Sequence, residues 1–129
     1  MKIYALEGWH RYTPKLDDND KSENPCSMLV QPMSQGEKLK YSGTIDQEEM
    51  TKQPWVAAER IAEVLRMRIR DVVGLTLIRL KDGGAEETQK ITDGDAFARH
   101  APEDLQLELF DVILNGTGLK PEQKKNARS

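Results

Sequence analysis

A chain of 129 residues with 37% apolar, 32% charged and only 5% aromatic side chains has the size of one ordinary domain with a modest core, which excludes a multi-domain machine. A mean hydropathy of -0.69, a single cysteine and a net charge of -3 exclude a membrane span, an internal disulfide framework and nucleic-acid binding by the whole surface. The opening MKIYALEGWHRYTP has no apolar run followed by small residues, so no secretory signal is readable and the expected compartment is the cytoplasm.

Residues 1–25 read as a flexible arm and loop. Ile3 and Ala5 alternate loosely with Tyr4 and Leu6, and Gly8, Pro14 and the acidic stretch LDDNDKSENP follow; the pattern suits a short edge strand and then a mobile loop. Residues 26–116 hold the core. CSMLVQ (residues 26–31) is an apolar run with a β-branched centre, closed by Pro32, and predicts a strand. Ser34 and Glu37 have capping-box spacing ahead of a short helix over residues 35–41, ending near Ser42-Gly43.

The longest element is a helix over residues 54–73, with Pro54 in its first turn and Gly74 at its end. Trp55, Ala58, Ala62, Leu65, Ile69 and Val72 recur at helical steps, and Ile61, Val64 and Val73 widen the stripe. Residues 75–80 (LTLIRL) alternate weakly into Asp82-Gly83-Gly84, a turn signal, and residues 87–92 supply a return strand. Asp93 is a good N-cap for a helix over 94–100. Pro102 at position N1, with Glu103 and Asp104 at the positive end of the dipole, opens another that stops at Asn115-Gly116. Its stripe is Leu105, Leu109, Val112 and Ile113, extended by Phe110 and Leu114. Residues 117–129 read as a polar tail with one turn after Pro121.

The fold expected from these elements is a single α+β domain. Its two main amphipathic helices, 54–73 and 102–115, pack face to face, with Leu65, Ile69, Leu109 and Ile113 in one core, because neither stripe can be buried alone. A small sheet is expected from residues 28–30 and 75–80.

Tests for chemistry leave no catalytic, cofactor or metal residues to nominate. Cys26 has no recognisable base, since the two histidines are His10 in the arm and His100 before Ala101-Pro102; one cysteine and two scattered histidines do not make a zinc site. Counting from Asp18 as a calcium loop puts Glu23 where glycine is required and Leu29 where a glutamate is required. Gly83-Gly84 and Gly116-Thr117-Gly118 lack the lysine and context of a phosphate loop. Arg66, Arg68 and Arg70 are the one basic patch of interest, with Arg66 and Arg70 a turn apart on a helix and Arg68 pointing away; without interleaved aromatics the pattern disfavours nucleic acid. Trp55 reads as a core anchor. Trp9 and Tyr12, aromatic residues in the arm, together with Arg66 and Arg70, are the candidate partner-binding residues.

Charge is blocked along the chain. Residues 59–81 carry six basic against three acidic side chains, residues 82–111 nine acidic against two basic, and the last ten residues four basic against one acidic. Opposite blocks steer contacts between like chains, so a homo-oligomer is a natural expectation beside the plain monomer.

The order of elements resembles the small tail assembly chaperones of long-tailed bacteriophages. The segments that carry the likeness are MLVQPMSQGEKLKY (28–41), VVGLTLIRLKDGG (72–84) and PEDLQLELFDVILNGTGLKPEQKKNARS (102–129), the last with its Leu-x-x-Glu-Leu helix, Gly-Leu-x-Pro-Glu step and Lys125-Asn126. Gly74-Leu75 stands where the family commonly has Gly-Trp, and the arm through Pro25 has no counterpart. The resemblance implies a non-enzymatic morphogenesis protein of the host cytoplasm that coats apolar stretches of the helical tape-measure protein and recruits tail-tube subunits. Its alternative is a virion component, such as a connector, stopper, tail or decoration subunit, with the arm hooked onto a neighbouring subunit.

Overall fold

The apolar run after Pro25 becomes the middle strand of a sheet. In the computed structural model, which describes residues 1–3, 5–42 and 54–119, His10–Tyr12 forms β1 and Ser27–Val30 forms β2, antiparallel, with Tyr12 opposite Met28 and His10 opposite Val30. Ile69–Val73 is β3, antiparallel on the other edge of β2. Tyr12, Met28, Val30, Ile69 and Val72 are buried, and the alternate residues Arg11, Leu29, Arg70 and Val73 lie on the outer face.

Two expectations are corrected here. From residue 10 onward the 1–25 segment is not a loose arm and mobile loop, because residues 10–12 are an edge strand of the sheet and Leu16–Lys21 forms a 3-10 turn packed on the last helix. The helix expected over 54–73 ends at Arg68: Pro54–Arg68 is helical and residues 69–73 are β3. Arg68 marks the switch. Its carbonyl accepts the Gln31 N–H at 3.0 Å, its guanidinium donates to the carbonyls of Gln31 (3.4 Å) and Pro32 (3.3 Å), and it pairs with Glu37. These bonds hold the chain beside β2, where the β-branched Ile69, Val72 and Val73 suit a ladder.

Ser34 and Glu37 form the expected capping box at the start of α1 (Gln35–Ser42). The Ser34 N–H donates to Glu37 Oε1 at 3.1 Å and the Glu37 N–H to Ser34 Oγ at 3.2 Å. In α2 (Pro54–Arg68) the buried stripe is Ile61, Val64 and Leu65, whereas Ala58 is exposed. The Trp55 side chain lies outside the described residues, as do Tyr4, Gly43 and the tail beyond residue 119.

Thr76–Leu80 (β4) pairs with Glu86–Lys90 (β5) in a separate two-stranded ribbon, closed by the expected Asp82–Gly84 turn with Gly83 and Gly84 at positive φ. The expected pairing of 75–80 with 28–30 is therefore wrong, since β3 occupies the edge of β2 that β4 would need. The ribbon grows from the sheet at its base: the Ile91 N–H donates to Leu75 O at 2.9 Å and the Val72 N–H to Thr92 O at 3.0 Å. Gly74 makes the bend at φ 75°, and a Cβ there would lie 3.3 Å from both Cys26 Cα and Pro25 O.

Asp93 caps α3 (Gly94–His100) by accepting the Ala96 N–H at 2.8 Å. Pro102 is the N-cap of α4 (Glu103–Asn115), one position earlier than the sequence reading, and Gly116 closes the helix in the left-handed region with its N–H on Val112 O. α2 packs on both α3 and α4. Leu65, Ile69, Leu109 and Ile113 do share one core, with Phe97 fully buried among them; each such side chain contributes about 1.5–3 kcal/mol by leaving water. The architecture is mixed helix and sheet, α+β as expected.

Candidate functional site

The outer face of the three-stranded sheet gathers two of the four residues nominated from the sequence. Trp9 is half-buried, with the Arg70 guanidinium 3.9 Å from its ring centroid, a cation–π contact worth about 0.5–1 kcal/mol at an exposed site. Beside it Arg11 pairs with the Asp71 carboxylate and donates to Asp71 O at 3.0 Å and to Ser27 Oγ at 3.4 Å. Trp9 is thus engaged on its own sheet rather than presented on a loose arm. Arg66 is exposed near the end of α2, while Arg70 is on β3, so the expected helical pair is split by the strand switch. Arg68, expected to point away, is instead half-buried and tied to Glu37 and to the carbonyls of Gln31 and Pro32.

Tyr12 is not at the surface. It is buried, and its hydroxyl donates to Glu108 Oε2 at 2.6 Å. The same carboxylate accepts the backbone N–H groups of Lys15 (2.8 Å) and Leu16 (3.1 Å), so one side chain of α4 holds residues 12–16 against the helix. Burial first, then the Glu108 hydrogen bond and charge, push the Tyr12 phenol well above its ordinary value.

Asn19 closes the next stretch. Its Nδ2 donates to Pro14 O at 2.8 Å and Cys26 O at 3.0 Å, and its Oδ1 accepts the Cys26 N–H at 2.9 Å. The loop from residue 14 to 26 is folded around that amide, with Asp17 and Asp18 both in the left-handed region at φ 53° and 56°, a conformation aspartate tolerates better than most residues. Cys26 is buried, and burial raises its thiol pKa, the opposite of an activated nucleophile. Nothing in the residue types of the loop marks Asn19 or Glu108 as its clasps; both act across the fold.

Between this loop, Leu75 at the base of the ribbon and Pro102 and Leu105 at the start of α4 lies an open cleft of about 390 Å³. Leu16 and Cys26 form further walls, and Asp17 and Asp18 stand at its lip. Among the described residues no group of three or more His, Cys, Asp or Glu side chains could hold a metal ion.

The second open surface is the β4–β5 ribbon. Ile78 and Leu80 are 54% and 78% exposed, and their cross-strand partners Thr88 and Glu86 are exposed too. Leu77, on the other face of the ribbon, packs against the core. A sequence signal for this existed: LTLIRL places apolar residues at both parities, and a ribbon that packs on one side only must leave one set outside. No helix of the described residues is long and apolar enough to cross a membrane. No family of known proteins matches the chain, and no curated protein and no solved structure matches it either.

Proposed function

We propose that the protein is a non-enzymatic assembly factor that binds a protein partner through the apolar face of its β4–β5 ribbon. In the specific form implied by the resemblance in residues 28–41, 72–84 and 102–129, it is a tail assembly chaperone of a long-tailed bacteriophage, holding apolar stretches of the tape-measure protein until tail-tube subunits arrive. The observation that carries the reading is the exposure of Ile78 and Leu80, two residues apart on one face of the ribbon. The ribbon is covered by the core on its Leu77 face, and large apolar side chains grouped on its open face favour a partner. A stripe of apolar side chains on a long helix is a fitting cover, because it offers a continuous dry surface with polar flanks.

Co-expression with a tape-measure protein tests this. The intact chain is expected to co-purify with it, and the double substitution Ile78→Thr, Leu80→Ser is expected to abolish co-purification with little loss of stability. Mass spectrometry of purified particles separates the two assembly roles: a chaperone is absent from mature particles, whereas a virion subunit is present in stoichiometric amount. No co-purification together with absence from particles overturns both.

A further inference from the structure

We propose that the cleft between the 3-10 turn Leu16–Lys21 and the start of α4 binds a peptide segment of a partner protein in which a large apolar side chain is flanked by lysine or arginine. The cleft uses neither Ile78 nor Leu80, so it is tested separately from the ribbon. Its volume of about 390 Å³ falls in the range of pockets that hold ligands, with room for one large side chain and the stems of its neighbours. The walls are apolar: Leu16, Leu75, Leu105 and Pro102 come from three separate parts of the chain. Of the uncharged polar side chains in the lining, the Asn19 amide is spent on Pro14 and Cys26, and the Ser22 hydroxyl donates to Asn19 O at 2.9 Å. Among the described residues no buried side-chain polar atom lacks a partner. An apolar side chain entering the cleft therefore strands no unpartnered buried side-chain polar group.

The charge of the guest follows from the lip. The residues lining the cleft include two carboxylates, Asp17 and Asp18, both exposed, and no lysine or arginine. Lys21 lies 3.7 Å from Asp18, with both side chains about four-fifths exposed, which leaves the acidic excess standing. Anionic segments are repelled at this entrance and basic ones attracted. Lysine and arginine suit it further because their aliphatic stems can lie along the apolar rim while the charged heads reach the carboxylates.

Cys26, the only cysteine of the chain, lies in the wall of the cleft and reports its occupancy. The probes are acetyl-Lys-Leu-Lys-amide, its charge-reversed analogue acetyl-Glu-Leu-Glu-amide, and acetyl-Lys-Ser-Lys-amide, which lacks the apolar side chain. The basic apolar peptide is expected to slow modification of Cys26 by a thiol reagent, with half-effect at about 1 mM or below, and the other two to leave the rate unchanged. In parallel it should shift the side-chain amide resonances of Asn19, a readout that does not depend on thiol reactivity. The double substitution Asp17→Asn, Asp18→Asn keeps side chains that accept the left-handed backbone, so the turn is retained. It is expected to weaken the basic peptide about three- to tenfold and to remove most of the salt dependence of binding. Equal protection by all three peptides, or no protection and no Asn19 shift with the basic apolar one, overturns the proposal.

Discussion

Gly94→Ala reverses the usual sign of a glycine-to-alanine change in a helix. Gly94 is buried at the first turn of α3, where that helix meets the end of α2, and a Cβ built on it would lie 2.4 Å from Ile69 O, 2.6 Å from Arg66 O and 3.1 Å from Leu65 O. All three are backbone atoms, so no side chain can swing aside. Restoring ordinary contact near 3.5 Å requires α3 to withdraw by about 1 Å. That movement would open the interface behind Phe97, whose side chain is fully buried. Overpacking of this kind costs about 1–3 kcal/mol, and rigid backbone neighbours put this site at the upper end. Alanine returns at most about 1 kcal/mol of helix propensity. The net expectation is a loss of about 2 kcal/mol, seen as a drop in Tm of roughly 4–12 °C and a lower urea midpoint with the slope unchanged. Gly36→Ala is the control: Gly36 sits in α1 with nothing within 4 Å of the added carbon, so it should be neutral or gain up to about 1 kcal/mol. If both substitutions stabilise equally, the contact between α2 and α3 is not as described.

Asn19→Ala is expected to cost about 1–3 kcal/mol by orphaning the Cys26 N–H and two carbonyls; a change in urea midpoint no larger than that of an exposed loop substitution such as Asp20→Ala would contradict its role as the clasp. Glu37 is held below its ordinary 4.5, first by the Ser34 N–H and also by Arg68. A depressed carboxylate contributes stability that is present above its unfolded pKa and lost as pH falls through the folded one, so Glu37→Gln should flatten the stability profile below about pH 5 and leave the profile above it parallel to that of the parent. Tyr12 has the opposite sense: its raised pKa keeps stability in full below its ordinary value of 10.0 and loses it as pH rises beyond. Tyr12→Phe should cost about 1 kcal/mol near neutrality, as Glu108 loses one of its donors, and should lessen the alkaline loss; an unchanged alkaline limb in thermal melts would exclude Tyr12 as its source.

What the sequence by itself determined is what neighbours in the chain can settle. The capping box of Ser34 and Glu37, the Asp93 cap, the Gly116 stop and the Asp82-Gly83-Gly84 turn all rest on hydrogen bonds or φ angles spanning a few residues, and each stands where the pattern put it. The shared core of Leu65, Ile69, Leu109 and Ile113 was legible because two apolar stripes in one small domain have little else to cover them. The tertiary structure decided the rest. Ile69 and Val72 are three residues apart, which reads as one face of a helix, but a strand reaches the same result with a bulge. Leu29 pairs with Arg70 and Ser27 with Val73, so β3 carries one extra residue at Asp71, φ 50°, and both apolar side chains turn inward. Which of the two forms is chosen depends on β2 lying alongside and on Arg68 bonding to Gln31 and Pro32, more than thirty residues away. The same holds for the candidate surfaces. Trp9 meets Arg70 only because β1 and β3 flank one strand, and residues 12–26 form a cleft wall only because Glu108 and Asn19 gather them. Ile78 and Leu80 stay open because the ribbon packs on the core through its Leu77 face alone, and no local pattern in LTLIRL records which face meets the core.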